Sequence, residues 1–266
     1  MIELIDVHKS FGAKQVLRGL SLRVNEGETV SLVGFSGAGK SVTLKNIVGL
    51  IEPDSGRVIV DGRNVPDLSR DELYELRRNV GYVFQFAALF DSMTIAENVA
   101  MGLVKQGGYS KAAIDERVRE SLARVELSGY EERLPSELSG GQQKRAGLAR
   151  AIAFRPKYLL YDEPTSGLDP VTTTVIDRLI RKMRDELGVT SLVITHDMGS
   201  AYRISDRIAM LYEGRVLEEG TPEEIQRTEN PIVRGFVDGE PELVEAGAEA
   251  RESEMKEAAT RKRRHR

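Results

Sequence analysis

The chain has 266 residues, 40% of them apolar and 30% charged, so it can bury a large core and lacks the composition of a disordered polypeptide. A formal net charge of −4 argues against a general nucleic-acid binder, which carries a basic excess. The absence of cysteine excludes disulfides, thiolate metal sites and thiol redox chemistry. The opening residues Met1 to Asp6 have neither the basic start nor the apolar stretch of a signal peptide, and no run of about 18 apolar residues occurs, so any membrane-spanning helices are expected from other subunits.

Four β-rich runs punctuated by turn residues open the chain: Ile2 to Val7, Val16 to Val24, Thr29 to Val33 and Gly56 to Val60, the last followed by Asp61-Gly62. They predict strands and hairpin turns. The third run passes straight into Gly34 and then a helical pattern at Leu44, Ile47, Val48 and Leu50, which reads as strand, glycine loop, helix. From about Ser92 to Phe154 the pattern is mainly helical, with Leu122, Val125 and Leu127 on one stretch and Leu148 and Ile152 on another. Tyr158 to Tyr161 and Ser191 to Thr195 are near-continuous apolar runs of the kind expected for strands buried on both faces of a parallel sheet. A helix over Val175 to Leu187 separates them, so the order is β, α, β with a right-handed crossover. From Asp238 the chain is rich in Glu and Ala and then, over Arg261 to Arg266, almost wholly basic, predicting a separate solvated tail that is helical or disordered.

Three motifs carry chemistry. Gly34-Phe35-Ser36-Gly37-Ala38-Gly39-Lys40-Ser41 fits the phosphate-binding loop, and it stands where the mechanism needs it, between a strand and a helix. Its backbone N–H groups and the positive helix end can wrap phosphates, with Lys40 neutralising the β/γ-phosphates and Ser41 reaching Mg²⁺. Tyr158 to Glu163 is an apolar strand ending in two carboxylates, which makes Asp162 the metal-side acid and Glu163 the base that polarises the attacking water. Leu138-Ser139-Gly140-Gly141-Gln142 begins a helix with Ser139 as N-cap and glycines that permit close backbone approach, a second anion site.

With these residues in this order the chain resembles the ABC ATPase family over about residues 2–237. The resemblance implies an α/β P-loop NTPase with a mainly parallel core sheet, an N-terminal antiparallel β subdomain and a helical subdomain inserted at about 88–154 that carries the signature motif. It further implies an ATPase domain over 1–237, followed by an acidic then basic tail over 238–266. Gln85, in Val83-Phe84-Gln85-Phe86, resembles the Q-loop glutamine between Mg²⁺, water and the membrane partner. Ser166-Gly167-Leu168-Asp169 resembles the D-loop, and His196 resembles the switch histidine that bonds the γ-phosphate. Phe11 stands where family members stack an aromatic on adenine. Val42 stands where many members have Thr, which removes a hydroxyl contact to the nucleotide.

The family pairs two chains head to tail, so that Ser139, Gly140, Gly141 and Gln142 of one complete the ATP site of the other. The stretch Phe86 to Thr94, with Pro135 to Leu138 and Asn230-Pro231 to Phe236, resembles the ATPases of Mla/Mce-type lipid transporters. That implies a peripheral subunit at the cytoplasmic face of the inner membrane, a permease docked near Gln85 to Phe90 and a lipid-binding substrate protein. Amino-acid importer ATPases share much of the scaffold. Non-transport family members that act on nucleic acid or ribosomes carry long coiled coils or two cassettes per chain, and neither is present here.

Overall fold

A computed structural model describes residues 1–264. The chain runs β1 (Ile2–Phe11), β2 (Lys14–Val24), β3 (Thr29–Val33), α1 (Lys40–Ile47), β4 (Ser55–Val60), β5 (Arg63–Asn64), α2 (Arg70–Arg78) and β6 (Val80–Val83). The helical stretch α3 (Ile95–Gln106), α4 (Lys111–Arg124) and α5 (Gly140–Ile152) follows, then β7 (Tyr158–Asp162), α6 (Pro170–Leu187), β8 (Thr190–Ile194), α7 (Met198–Ile204), β9 (Arg207–Tyr212) and β10 (Arg215–Gly220). Helices α8 (Pro222–Gln226), α9 (Pro231–Asp238) and α10 (Pro241–Arg264) close the chain.

The strands form two sheets. β2, β1, β4 and β5 make an antiparallel sheet in that order, and β10, β9, β3, β8, β7 and β6 make a second sheet that is parallel except for β10. Every residue of β3 and β8 is buried, as is β7 up to Tyr161, which is why these segments read as continuous apolar runs. One core lies between the two sheets around Leu4, Leu22, Leu32 and Leu44, and a second lies under α3 to α6 around Val99, Leu122, Leu148 and Ile180.

Local chemistry sets the helix starts. Thr94 and Ser139 each cap a helix with a reciprocal box, using Glu97 and Gln142 three residues on. Asp169 caps α6 by accepting from Val171 and Thr172 N–H, so that helix begins at Pro170, earlier than the apolar pattern beginning at Val175 suggests. Strands β6, β9 and β10 and helices α2, α7, α8 and α9 are short and carry no long periodic signal, and the sequence pattern alone does not raise them.

The segment after Asp238 differs from a free solvated end. α10 turns back on α9, with Gly235 against Val244 and Gly247 against Pro231 and Ile232, at positions where an added Cβ would come within 2.8 Å of those neighbours. Two missing side chains let the helices touch. The side chains of the basic run Arg261 to Arg266 lie outside the described residues.

α5 owes its seat on the sheet to Gly81 in β6, where a Cβ would meet both the Ala151 carbonyl oxygen and Leu159 at 2.6 Å. Gly81→Val should therefore cost about 1–3 kcal/mol through overpacking and lower the urea midpoint accordingly. A midpoint equal to the parent's would mean that α5 has slack against β6.

Candidate functional site

Parallel pairing gathers the motifs at one edge. β3, β8 and β7 lie side by side, with Leu32 beside Ile194 and Ile194 beside Asp162, so the residues that follow all three strands emerge together. The Gly34–Ser41 loop, His196 and Glu163 thereby become neighbours, and β6, the next strand, adds Gln85 from its end.

The glycine loop is held by sterics as well as hydrogen bonds. A Cβ at Gly34 would lie 2.3 Å from the Leu211 carbonyl oxygen, and Gly39 adopts φ 110°, a region that disfavours side chains. Lys40 is buried, and its ammonium donates to the carbonyl oxygens of Gly34 at 2.7 Å and Phe35 at 3.1 Å. Burial pushes its pKa down, opposed by the charges of Glu163 and Asp162. Gly39 starts α1 without a side-chain cap, which leaves the first N–H donors of that helix available to an anion. Thr43 is buried and its hydroxyl donates back to the Gly39 carbonyl, so it does not replace the hydroxyl missing at Val42.

The acidic side meets the loop through Ser41, whose hydroxyl donates to Asp162 Oδ1 at 2.9 Å. Tyr82 donates to Oδ2 at 3.1 Å, and burial together with that carboxylate raises the tyrosine pKa. Glu163 sits at φ 51°, a strained conformation for a side-chain-bearing residue, fixed by its N–H to the Ile194 carbonyl oxygen at 2.9 Å. His196 Nδ1 lies 2.8 Å from Glu163 Oε2, with the imidazole largely exposed and the carboxylate largely covered. Gln85 does not reach Ser41 or Asp162: its side-chain amide donates to Ser166 Oγ at 3.3 Å.

A cavity of about 750 Å³ joins Phe11, Gly34 to Gly37, Gly39 to Val42, Gln85, Glu163 and His196. Ala38 packs against the core beneath, and Phe11 is half exposed with Lys9 Nζ 5.6 Å from its ring centroid. Ser139, Gly140, Gly141 and Gln142 do not line this cavity. Ser139 and Gly140 are exposed, whereas Gly141 is buried where a Cβ would strike Thr172 of α6 at 2.3 Å. The Gln142 side chain is used within the chain, accepting from Ser139 N–H and donating to Tyr130.

Several residues at the site escape motif reading. Lys144, buried on α5, donates to the backbone carbonyls of Glu163 at 3.4 Å and Ser166 at 3.1 Å, and burial lowers its pKa against the pull of Glu163. Arg150 donates to the carbonyls of Ala87 at 2.7 Å and Ala88 at 2.6 Å, two residues at positive φ in the turn after Gln85. Phe236 lines the cavity from α9. No motif marks Lys144 or Arg150 in the sequence, because their carbonyl partners lie 19 to 63 residues away.

Strand, glycine loop and helix beside a carboxylate-tipped strand define a P-loop nucleotide hydrolase. A profile of the ABC transporter family matches residues 17–166, and the chain belongs to that family as one of its ATP-hydrolysing subunits. Protein TRIGALACTOSYLDIACYLGLYCEROL 3, chloroplastic, from Arabidopsis thaliana is 44% identical over 255 residues, covering 90% of this chain and 74% of that protein. Methionine import ATP-binding protein MetN 2 from Pseudomonas aeruginosa is 41% identical over 242 residues, covering 89% and 72%. Among solved structures, a dimeric post-hydrolysis state of the ATP-binding cassette MJ0796 bound to ADP and Pi superposes with a TM-score of 0.76 at 37% identity, covering 84% of this chain and 99% of that one.

Arg150 tests how firmly the turn after Gln85 is held. Arg150→Met should lose about 1.5–3 kcal/mol of stability for each charge-assisted bond that is not replaced by water, read from denaturant midpoints. A parental midpoint would mean that water satisfies the two carbonyls equally well.

Proposed function

We propose that the cavity binds ATP, with adenine against Phe11 and the phosphates on the loop from Gly34 to Ser41, and that Glu163 polarises the water that attacks the γ-phosphate. The observation that carries this reading is the Glu163 carboxylate at the end of β7, facing the cavity and bonded to His196 beside Lys40. Lys40 exchanges its two carbonyl partners for phosphate oxygens, and its charge offsets theirs. His196 orients Glu163 through Nδ1, and in the imidazolium form Nε2–H is a second donor for a γ-phosphate oxygen. Ser41 and Asp162 offer only oxygen ligands, which suits a magnesium ion. No cluster of three acidic or histidine groups fit for a metal exists among the described residues, so phosphate oxygens would complete its shell. Held by Ser41 and Asp162, such an ion would offset the negative charge of the phosphates.

Two chains arranged head to tail fit the exposure of Ser139 and Gly140 outside the cavity and the dimeric state described for MJ0796. In that arrangement the α5 start of one chain faces the phosphates held by Lys40 of the other. Glu163→Gln should cut turnover about 10²–10⁴-fold, retain ATP binding and accumulate an ATP-bound dimer, measured by phosphate release and by light scattering. Near-parental hydrolysis would remove Glu163 from the role of base.

The reading extends to transport of a lipid through a permease docked beside Gln85. It draws support from the relative that carries a galactolipid in its name. The turn after Gln85 presents Phe86 at 84% exposure with Phe84 and Phe90 half exposed, an apolar surface suited to a partner helix. Leu89, expected within that surface, instead packs partly against the helical core, and Ala87 is buried, its carbonyl held by Arg150. No helix among the described residues is long and apolar enough to cross a membrane, so a partner supplies the path in this scheme. The methionine-import relative favours a second reading, amino-acid uptake. Phe86→Asp should spare nucleotide binding and abolish co-purification with the permease, and a deletion strain should show altered lipid distribution across its envelope. Intact lipids together with impaired uptake of an amino acid would favour the second reading.

A further inference from the structure

Phe236 lies well beyond the matched stretch of residues 17–166, yet it lines the cavity with Phe35 of the phosphate loop. Their rings meet edge to face, with centroids 4.9 Å apart at 78°, and Phe35 makes a second edge contact with Tyr212 at 6.1 Å. Both are the arrangement that aromatic quadrupoles favour. The Phe35 carbonyl accepts from the Lys40 ammonium at 3.1 Å and from the Ala38 N–H at 3.2 Å. Fixing the Phe35 ring therefore fixes the peptide on which the lysine rests.

Phe236 is backed in turn. It joins Phe35 and Met198, two residues after His196, against a small core of Val33, Met210 and Val233. α10 packs on α9 at Gly235 and Gly247, and it brings the Arg251 guanidinium to 5.8 Å from the Tyr212 ring centroid. Both aromatic partners of Phe35 thus lean on the C-terminal helix, Phe236 through α9 and Tyr212 directly.

We propose that Phe236, braced by α10, is a positioning residue for the nucleotide site: it holds Phe35 so that the loop from Gly34 to Ser41 is preset for phosphate. Loss of the contact weakens nucleotide binding and leaves the bond-breaking step unchanged, because Asp162 ends β7 and Glu163 and His196 follow β7 and β8, whereas Phe35 follows β3. The C-terminal helix then acts on ATP affinity without touching the nucleotide. The inference rests on the reading of the cavity as an ATP site.

Full-length variants titrated with MgADP by calorimetry, with turnover followed against ATP concentration, test it. Phe236→Ala should raise Kd and KM about fivefold to tenfold and change kcat by less than about twofold. Phe236→Tyr, which keeps the ring edge, should stay near the parent. Gly247→Leu, which forces α10 off α9 with Phe236 intact, should reproduce the weaker binding. Val237→Ala trims the same small core without removing a ring, and it should lower Tm and leave Kd unchanged. Should Phe236→Ala fail to accumulate, Phe236→Leu carries the same expectation and the same refutation. Parental MgADP affinity in the Phe236 variant, while Lys40→Ala has lost binding, overturns the proposal, and so does equal weakening in Val237→Ala. If Lys40→Ala binds as the parent does, the nucleotide reading of the cavity fails and the proposal falls with it.

Discussion

The Lys40 ammonium rests on two carbonyls of its own loop, and the rest of the site is arranged around that closed ring of backbone. A buried lysine needs partners to offset its desolvation, and here the loop supplies them before any phosphate arrives. The loop can take this shape because Gly34 has no Cβ to strike Leu211 and because Gly39 tolerates positive φ at the helix start. Its position follows from β3, which lies between β9 and β8 with every residue buried, so the loop's entry point cannot shift without disturbing the sheet.

α5 touches three functional segments at once. Its N-terminus presents Ser139 and Gly140, Lys144 grips the carbonyls of Glu163 and Ser166, and Arg150 grips the turn after Gln85. Gln85 itself bonds Ser166, closing a loop of contacts between the turn after β6, α5 and the turn after β7. One helix thus bonds both the turn after Gln85, which carries the exposed Phe86, and the turn at Glu163, whose φ is 51°.

The C-terminal hairpin belongs to this arrangement and is not an appendage to it. Gly235 and Gly247 let α9 and α10 meet closely, Phe236 of α9 meets Phe35 edge to face, and Arg251 of α10 lies 5.8 Å from the Tyr212 ring centroid. A segment rich in Glu and Ala thereby packs on α9 and reaches Tyr212, one of the two aromatic partners of Phe35.

The sequence by itself determined the parts whose signals are local. The glycine loop, the carboxylates ending β7, the Ser139 cap and the two buried parallel strands all declare themselves within a few consecutive residues, because backbone conformation, capping and two-sided burial are set at short range. Gln85 and His196 were legible only through resemblance to the family, since a single glutamine or histidine has no spacing to give it away. Tertiary structure alone decided that Gln85 bonds Ser166, that Leu89 turns inward, that Lys144 holds the Glu163 carbonyl and that Phe236 reaches the cavity. Each of those depends on a partner in another element or on which strands lie side by side, and no periodicity or composition within a segment encodes the other half of such a contact.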